Sequence, residues 1–146
     1  MGKKQVVIST VQWVFRVVLA GVLVFAGVLK LQDNSALLET VAYLPWLPVW
    51  LKWRMVEFLP WVEILVAVLL VIRIKEKWVL SIVGFIFTGF FLFAIYGFAT
   101  GMEGDCGCFG EFGDSSFGWG MILRNAAFVG MAGFLFYKPA EENSPD

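Results

Sequence analysis

Four runs of mostly apolar residues, at 7–29, 55–72, 78–99 and 119–137, approach the roughly 20 residues with which an α-helix crosses a hydrocarbon layer about 30 Å thick. Inside such a layer the backbone N–H and C=O groups have no water to bind, so each run must satisfy them internally and is predicted to be a helix. The chain is 60% hydrophobic over 146 residues, with mean hydropathy +0.80, well above the roughly 45–50% apolar usage of a soluble domain. The expected fold is therefore an all-α membrane protein: a four-helix transmembrane bundle forming a single domain over 1–138, with 139–146 as a disordered tail. The run at 55–72 is the least regular, because Pro60 interrupts it and Glu57 and Glu63 lie within it. The first run is too long for a signal-peptide h-region of roughly 7–15 residues, and no small-residue cleavage site follows it, so it reads as a retained helix.

Charge placement orients the bundle. Lys3, Lys4, Arg73, Lys75, Lys77 and Lys138 fall at one end of the four runs, and Lys30, Lys52 and Arg54 at the other. The richer end is expected to face the cytoplasm, with both termini there. The loop between the third and fourth runs then lies outside, and it carries Glu103, Asp105, Glu111 and Asp114 without Lys or Arg. Between the first and second runs, an amphipathic helix is expected near residues 35–44. An aromatic stretch with Trp46, Trp50 and Trp53 should follow it along the outer leaflet.

The 11 basic and 12 acidic residues nearly cancel, so the chain carries no nucleic-acid footprint; its partner surface is the lipid bilayer. With no histidine, the commonest general base and metal ligand are missing, and chemistry falls to Cys, carboxylates, Lys, Arg or Tyr.

Both cysteines, Cys106 and Cys108, stand one glycine apart in the predicted outer loop. An oxidising compartment favours a disulfide. A bond between them would close a very small ring, permitted by Gly107 but departing from relaxed geometry, and strained disulfides are the reducible, catalytic kind. So short a loop gives almost no entropic stabilisation, which leaves a structural role poorly motivated. Thiol–disulfide exchange leads the readings, with Cys106 and Cys108 as catalytic residues. Soft-metal capture, perhaps with Met102, and a bond to a partner chain stay open. Asp105 and its acidic neighbours disfavour the thiolate, so a cation is needed nearby; Arg124 is the first candidate and Lys30 the second.

Ionisable groups inside a span are costly and tend to be paired in the interior. Counted from the expected cytoplasmic edge, Arg16 and Glu63 both lie about 15 Å deep at 1.5 Å per residue, which predicts a midplane ion pair. The same count sets Arg124 and Glu57 in the outer half, as a second pair. At about 100° per residue, Arg16, Ala20, Leu23, Gly27 and Lys30 share one face of the first helix. Close helix approaches are expected at Gly84, Gly89, Gly130 and Gly133. Asn125 and Tyr96 are either polar contacts between helices or the lining of a quinone-sized pocket.

Arg16, then 25–33 (FAGVLKLQD), then 59–63 (LPWVE), then 106–110 (CGCFG), then Arg124 and Asn125, together resemble the methylamine utilisation protein MauE family within the wider DoxX-like group. The resemblance covers most of the chain and is most specific at CGCFG. It implies a four-helix protein of the bacterial inner membrane, with a periplasmic Cys loop. It also implies redox maturation of exported proteins, often beside a membrane-attached thioredoxin-like partner. Four-helix thiol oxidoreductases linked to quinones relay through two cysteine pairs. With one pair, this chain needs either a membrane quinone or a partner's cysteines as second carrier. A non-catalytic anchor or scaffold subunit is the alternative function.

Overall fold

In a computed structural model the described residues are 2–102 and 118–137. They form helices α1 (Lys3–Gln32), α2 (Ser35–Ala42), α3 (Val49–Ile72), α4 (Glu76–Thr100) and α5 (Trp119–Tyr137). Four of these, all but α2, are long and apolar enough to cross a membrane. The chain is a four-span helical membrane protein.

The helices close a ring in which α1 packs on α3, α3 on α4, α4 on α5 and α5 on α1. Every neighbouring pair is antiparallel. The central core joins Leu19 and Leu23 of α1, Val66 and Leu70 of α3, Val83 and Phe87 of α4, and Ala132 and Leu135 of α5. Phe87 meets Phe128 with ring centroids 5.3 Å apart. On the outside the usual polarity is inverted: Leu65, Val68, Phe85 and Leu123 are exposed, while Arg16, Lys30, Glu63 and Asn125 are buried. A lipid solvent accounts for both halves of that pattern.

Two ends are distinguishable. The turn end holds the α3–α4 connection, where Arg73 (φ 65°) and Lys75 (φ 46°) are both left-handed, so that α4 starts immediately beside the end of α3. The opposite end holds α2, which seats Leu37 and Val41 on Val56 of α3. Exposed Trp46, Trp50, Trp53 and Trp119 mark this α2 end, and exposed Trp78 and Tyr137 the turn end. Such rings at both ends match the two headgroup levels of a bilayer.

The structure corrects the expected bounds at one place in particular. The α3 helix begins at Val49, so Trp50 and Trp53 belong to its first turns and do not form a separate stretch along the surface. Pro48 is its N-cap, and the fixed proline φ suits a helix start. Pro60 does not break α3, although it leaves the Val56 carbonyl without its usual donor. It is buried where α1 approaches most closely: a Cβ added at Gly27 would lie 2.9 Å from the Pro60 carbonyl oxygen and 2.8 Å from Ile64 Cγ1. By contrast, Gly84, Gly89, Gly130 and Gly133 meet nothing within 4 Å of such a Cβ, so the close approaches expected there do not occur within the chain.

Candidate functional site

The face of α1 predicted from helical phase is the one that turns inward. Arg16, Ala20, Leu23, Gly27 and Lys30 are all buried. Its two cations find different partners from those expected. Lys30 Nζ donates to Glu63 Oε1 at 2.6 Å, with both side chains almost fully buried (1% and 0% exposed). The same ammonium lies over the Phe90 ring of α4, 4.9 Å from its centroid. Glu63 is nine residues from the turn end of α3, about 14 Å at 1.5 Å per residue, so the pair sits near mid-membrane.

Arg16 binds at the turn end. Its Nη1 donates to the Leu70 carbonyl at 2.9 Å, and its Nη2 contacts Glu76 Oε1. Arg73 approaches the other Glu76 oxygen at 3.6 Å. The expected Arg16–Glu63 pair therefore does not form. The reason is register: Gly27 abuts Pro60 and Ile64, and Arg16, eleven residues earlier on an antiparallel helix, is level with the end of α3. Side chains on a helix also lean toward its N-terminus. That lean carries Arg16 outward to the turn and carries Lys30 down to Glu63.

The expected Arg124–Glu57 pair does not form either. Glu57 is exposed on α3, six residues and so about 120° around the helix from Glu63. Residue counting gives those two residues a common depth but no common direction. Arg124 is half-buried on α5. Its neighbour Asn125 is fully buried, and neither its Oδ1 nor its Nδ2 has a hydrogen-bond partner among the described residues. Glu63 Oε2 is in the same position. Tyr96 is exposed on α4, its ring 6.5 Å from that of Phe93.

Sequence reasoning missed Glu76 and Phe90. Glu76 carries a visible signal, as the acidic residue in the first turn of α4 next to the basic cluster 73–77. Phe90 has none, being one of 15 phenylalanines in the chain. Cys106 and Cys108, with the rest of 103–117, lie outside the described residues, as does the tail from 138. The helices flanking that segment meet at the α2 end, where the rings of Phe98 of α4 and Trp119 of α5 lie tilted against each other with centroids 5.3 Å apart.

A polytopic membrane protein with a four-helix bundle, an internal Lys–carboxylate pair and a guanidinium bound to a helix end is thus defined by fold and interior. The model of the family described as methylamine utilisation protein MauE matches residues 8–138, nearly the whole chain, and the chain belongs to that family. No match is found among curated proteins or among solved structures.

Proposed function

We propose that this protein is a redox accessory of the bacterial inner membrane. In this reading Cys106 and Cys108 cycle between dithiol and disulfide in exchange with an extracytoplasmic thioredoxin-like protein, in support of the maturation of exported proteins. The observation that carries it is that the chain's two cysteines stand one glycine apart in the segment joining α4 to α5, away from the turn end. A pair that closely spaced forms a strained, reducible bond.

The orientation required, with this segment outside the cytoplasm and both termini inside, is supported by the burial of Lys30. Because Lys30 is withdrawn into an internal pair, only Lys52 and Arg54 count at the α2 end, against Lys3, Lys4, Arg73, Lys75 and Lys77 at the other. The asymmetry that orients a membrane protein is therefore sharper than the bare sequence suggests. The Lys30–Glu63 pair and the Arg16 contacts hold helix register beneath the site, and Arg124, beside Asn125 on α5, is the cation assigned to favour a thiolate in the acidic loop.

The test is the redox state of the partner in cells. A double Cys106→Ser, Cys108→Ser variant is expected to shift the partner's active-site cysteines away from their normal balance. An unchanged balance, with the variant normally inserted, would favour a non-catalytic scaffold.

A further inference from the structure

The α3 and α4 helices start side by side at the turn end, and toward the α2 end a cavity of about 250 Å³ lies between Met55 and Leu59 of α3 and Gly89 and Phe93 of α4. Leu37, Val41 and Leu44 of α2 complete its wall at that end. On α4 the lining runs from Phe85 to Phe93, about 12 Å along the helix axis at 1.5 Å per residue, so the space is long rather than round. Phe85 is 81% exposed, and the cavity therefore opens sideways to lipid. Its wall is almost entirely hydrocarbon, and the ammonium of Lys30, the charged residue in it, is taken by Glu63 at 2.6 Å. Such a wall would leave a polar ligand group unpaired, and it suits an alkyl chain.

A cation stands at the headgroup end of this space. Lys52 precedes Met55 by three residues and Leu59 by seven, which sets all three on one face of α3. Its Nζ lies 3.5 Å from the carbonyl oxygen of Ala42, the last residue of α2, with the cavity-lining Val41 and Leu44 on either side in sequence. Among the described residues Lys52 pairs with no carboxylate. We propose that the cavity holds one acyl chain of a phospholipid whose phosphate is bound by Lys52. A hydrocarbon slot open to the bilayer receives the chain, and a cation at the level of the exposed tryptophans receives the headgroup. The chain lies between α2 and α4 and so supports the short helix from the side that α3 does not cover. The proposal is independent of the cysteine chemistry.

The test is titration of phosphatidylglycerol into the full-length protein in detergent, with one-to-one adducts followed by native mass spectrometry. Gly89 lines the cavity and a Cβ there meets nothing within 4 Å, so leucine fills the space without pushing on the backbone. Gly89→Leu should bind at least about tenfold more weakly than wild type, a loss set by steric exclusion. Gly84→Leu, equally open but outside the lining, should bind as wild type does. Lys52→Gln keeps a donor for the Ala42 carbonyl and removes the charge; it should weaken binding about fivefold, and Lys52→Arg should restore it. Arg54 lies about 200° around α3 from Lys52, over the Phe58 ring at 5.6 Å, so Arg54→Gln should leave binding unchanged. Absence of a one-to-one adduct on wild type, or wild-type binding by Gly89→Leu or Lys52→Gln, overturns the proposal. So does an equal loss in Lys52→Gln and Arg54→Gln, which would make the attraction a property of the whole surface, or tighter binding of palmitate than of phosphatidylglycerol, which would make the cavity a fatty-acid site.

Discussion

Lys30 and Glu63 form a 2.6 Å ion pair across α1 and α3 with neither side chain reaching the surface. Removing one partner strands the other charge in a low-dielectric interior, at a cost of about 3–5 kcal/mol, whereas replacing both by apolar residues is often neutral or stabilising. Lys30→Met should therefore lower the midpoint of thermal unfolding in detergent, and Lys30→Met combined with Glu63→Leu should recover most of the loss. If the double variant is as unstable as the single, the pair is not the unit that matters.

The approach of α1 to α3 depends on the absence of a side chain at Gly27. A methyl there meets the Pro60 carbonyl, which is backbone and cannot step aside, so Gly27→Ala should destabilise by about 1–3 kcal/mol. Gly21, on the same helix with open space around it, gives the opposite result. Gly21→Ala should be neutral or gain up to about 1 kcal/mol through helix propensity. Denaturation of the two variants side by side checks both.

Arg16 ties α1 to both sides of the α3–α4 turn, through the Leu70 carbonyl and Glu76. The turn itself holds two non-glycine residues in left-handed conformation, which costs about 1–2 kcal/mol for each. Arg16→Leu should loosen this end first, raising hydrogen exchange in the first turn of α4 more than in its centre. Arg73→Gly should slow global unfolding by relieving one strained residue, since its exposed 3.6 Å contact to Glu76 contributes little.

At the other end, the Asp33 carboxylate accepts the Ser35 backbone N–H at 2.9 Å and so starts α2. Hydrogen bonds from the Ser35 side chain and backbone hold the Asp33 pKa below its ordinary value. A depressed carboxylate stabilises the fold above its unfolded-state pKa, and that contribution is lost as pH falls through the lower, folded value. Asp33→Ala should therefore speed amide exchange in α2 at neutral pH, with the difference from wild type vanishing in strong acid.

Much of this arrangement is legible in the sequence, and each miss has its own physical cause. Length and hydropathy predict all four spans, with Trp119–Tyr137 matching to the residue, and a 100° repeat identifies the buried face of α1. Counting residues from a membrane edge assumes a common edge and gives no direction around the helix: the first puts Arg16 level with Glu63 although it meets the end of α3, and the second makes exposed Glu57 a partner for Arg124. Lys30 was harder, because a lysine near a helix end normally extends toward the headgroups. Here it leans inward, where Glu63 and the Phe90 ring receive it. The start of α3 was obscured by tryptophans and Pro48, which read as interfacial loop until Pro48 is recognised as an N-cap.

Trapping in intact cells tests the central claim most directly. Free thiols are alkylated, and Cys106→Ser and Cys108→Ser single variants are compared on non-reducing gels. The account predicts a discrete mixed disulfide between the remaining cysteine and a thioredoxin-like protein in at least one variant. No adduct in either, with full function retained in both, would contradict it.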